Sequence, residues 1–171
     1  HLSIRRQRQM CIRDRNRPLL LLLIDILRRA RCGRIVVNGH HLGHLVERTV
    51  GGLPDVLYQG EPEILGTGGS LRQALSRFSA DPLLVMNGDI CHDVDIAALY
   101  RHHLQSGSQA TLALHDCPRF NTVAVKNGWV SSFHPAPGEN LLAFTGIQVV
   151  EPEIISLIPP GRFFHIIDLY R

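Results

Sequence analysis

Cysteine is scarce and scattered in this chain. Cys11, Cys32, Cys91 and Cys117 include no C-x-x-C pair, so neither a zinc ribbon nor a disulfide framework is expected, and reduced thiols in a cytoplasm fit best. Long apolar runs are missing too: the longest, Leu19 to Ile24, is far too short to span a bilayer. A strong charge of either sign is also absent. The net formal charge is +3, and Arg5, Arg6, Arg8, Arg13 and Arg15 against Asp14 put +4 of it in residues 1–15, leaving −1 for the rest. A nearly neutral body argues against binding a nucleic-acid backbone. No G-x-x-x-x-G-K-[ST] and no H-E-x-x-H occurs, which removes a Walker-type phosphate loop and a zincin helix.

What is present suits a single domain: 171 residues, 44% hydrophobic and 19% charged, enough for one sizeable core. The first segment, HLSIRRQRQMCIRDR, stands apart. It has no periodicity, no cap and no apolar stretch of the signal-peptide kind. MCIRDR also resembles the translation of a transposon-end adapter from sequencing libraries. Residues 1–15 are therefore expected to be a non-native or disordered segment, with a partial domain over 16–171.

From Asn16 the pattern is orderly. Asn16 can cap and Pro18 suits the first turn of a helix over LLLLLIDILRRAR, with Arg28, Arg29 and Arg31 at its negative end and Gly33 as its stop. RIVVN (34–38) reads as a buried strand, HHLGHLVERTV as a helix and DVLYQ (55–59) as a strand. A loop and helix follow in GEPEILGTGGSLRQALSRF. PLLVMN (82–87), apolar on both faces, is expected at the centre of a parallel sheet. Asp95 can cap a helix over IAALYRHHLQS, and ATLALH, NTVAVK, WVSSF and LAFTGIQVV are four strand candidates. Alternation first and a β-rich part after make an open α/β sheet of Rossmann type, with ligands beyond the carboxyl ends of the strands.

Two stretches point to chemistry. In Leu65-Gly66-Thr67-Gly68-Gly69, three glycines in four residues open a helix. Such a turn lets backbone approach a ligand and aims helix N-terminal amides at anions or carbonyl acceptors, although a plain structural turn uses the same residues. In LLVMNGDICHD, a buried strand runs into Asn87-Gly88-Asp89. That can be a turn, but one Asp also suffices for a magnesium ion that fills its shell with water and phosphate oxygens. Their combination, with Gly66 and Asp89 twenty-three residues apart, favours a site. Asp93 and Asp95 read as loop and cap residues, His40, His41 and His44 as the polar start of the second helix, where three histidines could also suggest a metal cluster, and His102 and His103 as an exposed helix face.

EPEILGTGGSLRQAL, LLVMNGDI and LLAFTGIQVV, in that order, resemble the sugar-1-phosphate nucleotidyltransferases (nucleoside-diphosphate-sugar pyrophosphorylases). The branch they look most like is that of mannose-1-phosphate guanylyltransferase and N-acetylmuramate-1-phosphate uridylyltransferase. NRPLLLLLIDILRRARCGRIVVNGHHL fits the family's first helix and second strand, so the resemblance covers residues 16–171. It implies a Rossmann-like open mixed sheet flanked by helices, and nucleotidyl transfer from an NTP to a sugar-1-phosphate, giving an NDP-sugar and pyrophosphate. It also implies roles. Glu61 and Gly66 would lie against the nucleobase, with Thr67, Gly68 and Gly69 beside it. Asn87 and Gly88 would lie near the nucleoside, and Asp89 would hold Mg2+ as the catalytic metal ligand. Asn121, Thr145 and Gly146 would border the sugar phosphate.

Departures from the family pattern sharpen these expectations. The family's opening strand and Gly-rich, Arg-bearing phosphate loop are not found, and Phe133-His134-Pro135 stands where many relatives carry Glu-Lys-Pro. A later metal-binding Asp would fall beyond Arg171. The chain is thus expected to be truncated at both ends and nearly inactive alone, with the apolar flank of RIVVN left open to aggregation. Two other functions fit the same fold: a non-catalytic nucleotide-sugar-binding subunit, and a metal-dependent glycosyltransferase, for which the Asn at position 87 spoils the usual D-x-D. Expected partners are an NTP and a sugar-1-phosphate, without nucleic acid or membrane. Homo-oligomer formation, the base and the sugar are left open.

Overall fold

The computed structural model describes residues 13–14, 17–136 and 138–171. The expectation for residues 1–15, and the Asn16 cap, therefore lie outside the described residues, except that β1 (Arg13–Asp14) pairs antiparallel with β2 (Arg17–Pro18). Pro18, extended at φ −56° and ψ 137°, leads into α1 (Leu19–Arg29). Arg28 and Arg29 fall in the last turn, where the helix dipole favours cations. The chain reverses at Arg31 (φ +64°) rather than at Gly33, and the Cys32 amide donates back to the Leu27 carbonyl at 3.0 Å.

β3 (Ile35–Gly39), α2 (Gly43–Val50) and β4 (Val56–Gly60) form one parallel unit, in register from Ile35 opposite Val56 to Gly39 opposite Gly60. Parallel strands need a crossover element, and α2 supplies it. Their shared core joins Leu20, Ile24, Ile35, Val37, Val50 and Val56. Arg28 clamps the end of α1 to the start of β4 through a two-pronged bond to Asp55, with Nε to Oδ2 at 2.7 Å and Nη2 to Oδ1 at 2.5 Å.

The second unit is built around β9 (Leu141–Val150). α3 (Gly66–Ala74) and a 3-10 turn (Leu75–Arg77) lead to β5 (Leu83–Val85), and α4 (Ile96–Ser106) leads to β6 (Ala110–His115). β7 (Val123–Lys126) and β8 (Trp129–Ser132) form a hairpin. β9 pairs antiparallel with β5, β6 and β7, and is followed by α5 (Pro152–Ser156) and α6 (Ile166–Leu169). All four β-rich candidates are thus strands. One expectation for this unit is corrected: β5 is not the centre of a parallel sheet. It is three residues long and pairs antiparallel with β9, because Met86 and Asn87 leave the ladder for the turn at Gly88 and Asp89. The Asp95 cap holds, its side chain accepting from the Ala98 amide at 2.9 Å.

A second correction concerns His103, expected on an exposed face. It is 1% exposed, with Nδ1 2.9 Å from Thr111 Oγ1 and Nε2 3.1 Å from Glu151 Oε1. α4 buries the side that carries Ile96 and His103, seven residues apart and so on one helical face. A buried polar ring needs partners, and Thr111 and Glu151 provide them.

Among the described residues no strand joins β3 to β5, so the parallel pair and the β9-centred sheet remain separate. Between them lies a cavity of about 1060 Å3, lined by residues of both. The fold is thus mixed α/β, with parallel and antiparallel strand pairs and accompanying helices. No helix among the described residues is long and apolar enough to cross a membrane.

Candidate functional site

One wall of the cavity begins where β4 ends. The Glu61 amide donates to the Gly39 carbonyl at 2.9 Å, continuing the parallel ladder by one step, and the side chain turns inward with 9% of its surface exposed. Asn38 Nδ2 donates to Glu61 Oε1 at 3.1 Å, and the Leu65 amide reaches Oε2 at 3.5 Å. His40 Nδ1 lies 2.7 Å from the Glu61 carbonyl oxygen. Both carboxylate oxygens therefore accept, and the group is fixed in place without a cationic partner among the described residues. Asn38 was not anticipated from the sequence. Its only signal is a polar residue closing the apolar run IVVN.

The glycine turn serves two purposes. Gly66 stands at φ +69°, and a Cβ on it would lie 2.8 Å from the Phe164 carbonyl oxygen. Gly66, Thr67 and Ser70 line the cavity, and the Ser70 hydroxyl donates to the Gly66 carbonyl at 2.7 Å. Gly68 and Gly69 are placed differently. Their amides both donate to the Phe164 carbonyl, at 2.9 and 3.3 Å, and a Cβ on Gly69 would lie 2.5 Å from the Arg162 carbonyl oxygen. These glycines let the segment 162–164 pack directly on α3, and their amides are already occupied. Nothing in the sequence announced that partner.

The opposite wall comes from the end of β5. Asn87 and Gly88 line the same cavity as Glu61 and Gly66. Asp89 follows Gly88 in the turn, half-buried and beside the lining residues rather than among them. Asn87 lies over Gly146, where a Cβ would collide with its Nδ2 and where φ is +83°. Gly146 belongs to a bulge in β9, seen as the register shift between Leu112 and Leu114 of β6. Thr145 fixes that bulge, donating from Oγ1 to the Ala113 carbonyl at 2.8 Å and accepting from the Ile147 amide at 3.1 Å. Gly146 thus meets the cavity wall at Asn87, and Thr145 supports it by fixing the bulge.

Other anticipated residues lie apart. Asn121 is spent within its own loop, accepting from the Cys117 amide and donating to Asp116, each at 2.8 Å. His134 is exposed, with Nε2 3.2 Å from Arg171 Nη2. His41 and His44 are exposed, and no group of three His, Cys, Asp or Glu among the described residues could hold a metal unaided. His92, three residues past Asp89, has both ring nitrogens buried without a hydrogen-bond partner, and burial pushes its pKa down.

Fold and cavity together define an open α/β domain whose cleft runs along β3 and β5 and includes their carboxyl ends, the end at which such sheets bind ligands. Comparison with known proteins gives the family. The chain belongs to the MobA-like NTP transferase domain family, whose model matches residues 7–147. It is 31% identical to an N-acetylmuramate alpha-1-phosphate uridylyltransferase of Neisseria meningitidis, over 91% of this chain and 71% of that protein. It is 28% identical to a UTP–glucose-1-phosphate uridylyltransferase of Synechocystis, over 85% of this chain and 44% of that one. The chain spans about half the length of the first curated relatives it matches, 44% and 54%. A putative glucose-1-phosphate thymidylyltransferase from Bacillus anthracis shares the fold, with a TM-score of 0.78, 19% identity, and 94% of this chain and 72% of that one covered. The resemblance read from the motifs is borne out.

Proposed function

We propose that this domain carries nucleotidyl transfer from an NTP to a sugar-1-phosphate, releasing pyrophosphate. The observation that carries the reading is the single cavity shared by Glu61, Gly66 and Thr67 on one wall and Asn87 and Gly88 on the other, with Asp89 next in the chain. The names of the curated relatives, uridylyl- and guanylyltransferases acting on sugar-1-phosphates, support it. A sugar-1-phosphate oxygen attacks the α-phosphorus in line with the departing pyrophosphate. The nucleophile is already an anion, so no general base is required, and the chain's own residues act by positioning and by excluding water. On this reading Glu61 and Gly66 face the base and Gly88 the nucleoside sugar, while Thr145 and Gly146 act through Asn87.

Mg2+ fits the residues present. Magnesium takes one or two carboxylates and completes its shell with water and phosphate oxygens. Asp89 is half-buried, has no side-chain hydrogen bond among the described residues, and follows the cavity-lining Gly88. Asp95 is committed to its helix cap and Asp93 is exposed. When bound, the ion supplies positive charge against the phosphates. Cys32, Cys91 and Cys117 are free thiols, in keeping with a cytoplasmic setting.

The test is Mg2+-dependent NTP binding, followed by pyrophosphate release on adding sugar-1-phosphates. Asp89→Ala is expected to weaken Mg-NTP binding at least about tenfold, one charge-assisted contact or more, with an unchanged thermal melt. Equal Mg-NTP affinity in parent and variant removes Asp89 from the site.

A further inference from the structure

We infer that a hollow at the amino-terminal ends of β3 and β4 is a second anion site, in which Arg34 and Arg77 hold a phosphate group, free or carried by a small organic molecule. It stands at the opposite end of these strands from Asn38 and Glu61, and the inference does not rest on the nucleotide reading above.

The hollow has a volume of about 550 Å3. Arg34 and Asp55 line it from the turns before the two strands, and Gln73, Ser76 and Arg77 from the far end of α3 and its 3-10 turn. The Ile35 amide donates to the Asp55 carbonyl at 3.0 Å, which fixes the two strand starts side by side. Arg34 Nη1 donates to the Arg77 carbonyl at 2.5 Å, tying the start of β3 to the end of the 3-10 turn. A helix end leaves such carbonyls without an internal partner, and the bond spends only one of the guanidinium's donors. Arg34 is thereby held at the hollow with most of its donors unspent.

Charge decides the class of ligand. Asp55 is the only acid among the lining residues, and both its oxygens are taken by Arg28, at 2.7 and 2.5 Å. Arg34 and Arg77 form no ion pair among the described residues. Two cations therefore share a concave polar surface whose one carboxylate is already neutralised, and an anion entering it relieves their repulsion. Planar guanidiniums grip phosphate oxygens through paired N–H groups, and Gln73 and Ser76 add neutral donors. The volume lies within the roughly 300–1,000 Å3 of small-molecule pockets, with room for more than a bare phosphate. The site is also separate from the cleft. α3 is nine residues long, about 12 Å from end to end, so one phosphate group cannot serve both this hollow and the turn at Gly66.

The experiment is calorimetric titration of the full chain, without magnesium, with inorganic phosphate and separately with glucose 6-phosphate. Sodium chloride holds the ionic strength constant, so that screening alone gives no signal. The expected result is saturable binding of at least one of the two, and the tighter one names the source of the phosphate. Arg77→Gln should weaken that binding at least about fivefold, the loss of a charged hydrogen bond at an open site. The Arg77 side chain makes no hydrogen bond among the described residues, and only its main-chain carbonyl serves the fold, so this variant should melt as the parent does. Arg34→Gln should weaken binding in the same direction, whereas Asp89→Ala should leave it unchanged. Failure of both ligands to bind overturns the inference. So does a folded Arg77→Gln protein with the parental affinity, or loss of binding in Asp89→Ala, either of which puts the anion elsewhere. A chain that binds phosphate at Arg77 but no Mg-NTP refutes the nucleotide reading and leaves this inference standing.

Discussion

The half built on α1, β3, α2 and β4 draws its core from residues near in sequence, Leu20 to Val56. The half centred on β9 instead joins strands as distant as Leu83 and Val150. In the first, β3 pairs among the described residues with one neighbour, β4, and turns its other edge to the cavity. In the second, β9 is flanked along its length, and Ile147, Val149 and Val150 are fully buried. The difference assigns work. The β9 half is a packed base from which Asn87 and Gly88 are held out. The β3–β4 half supplies the Glu61 arm and is open on the side that faces a ligand. The loop from Glu61 to Leu65 crosses between them, which is how one cleft comes to have two independently supported walls.

The largest expected effect tests that contrast in stability. Ile155 is fully buried and packs with Leu83, Val150, Ile154, Ile158 and Ile166. Ile155→Ala should cost toward the upper end of the roughly 2–5 kcal/mol seen for such truncations. Ile24 is 1% exposed and also borders the cavity, so the space left by its truncation can join an existing opening rather than make an enclosed void, which lowers the cavity part of the cost. Ile24→Ala should fall near the lower end of the same range. Chemical denaturation of both variants decides. Equal losses would mean that the two halves are packed alike and that the cleft is not a gap in the core.

Gly146 links the halves' contrast to the site. An alanine there must adopt φ +83°, at about 1–2 kcal/mol, and its methyl would displace Asn87, whose Nδ2 lies against the Cβ position. Gly146→Ala should therefore lower stability by about 1–3 kcal/mol, and Asn87→Ala in the same chain should recover the part due to the clash. A double-mutant cycle on thermal melts measures the recovery. Complete additivity would show that Asn87 and Gly146 do not support one another, and would detach Thr145 and Gly146 from the cavity wall.

Local chemistry was legible in the sequence; partners from far along the chain were not. The Asp95 cap, the helix after the glycine turn and the four strands from β6 to β9 each announced themselves by periodicity or by a capping residue. The direction of β5 did not, because its only strand partner among the described residues, β9, begins at Leu141, and no pattern in LLV tells a parallel neighbour from an antiparallel one. The glycine turn was readable as a place of close approach. That the approach at Gly68 and Gly69 is made by Phe164 and Arg162 could not be read, since glycine signals room without naming the occupant. His103 is the instructive miss: it lies seven residues past Ile96, on the apolar face, and the period itself could have found it. Glu61 was located by the resemblance, but its anchoring by Asn38 follows from strand register, which only the fold fixes.

The smallest effect concerns the clamp that keeps the open half together. The Arg28 guanidinium, bonded to the carboxylate at 2.7 and 2.5 Å, holds Asp55 below the usual carboxylate range. A carboxylate whose pKa is depressed on folding stabilises the fold above its unfolded value, about 3.9, and that contribution drains away as pH falls through the lower folded value. The pair is part-exposed, with 35% and 27% of the two side chains accessible, so screening by water and salt keeps the gain small. Asp55→Asn should accordingly lower the melting temperature slightly at pH 7 and by less at pH 3, and high salt should shrink the difference at pH 7. A gap between parent and variant that persists unchanged down to pH 3 would mean that Asp55 serves by shape rather than by charge. The junction of α1 and β4 would then be held by packing rather than by its ion pair.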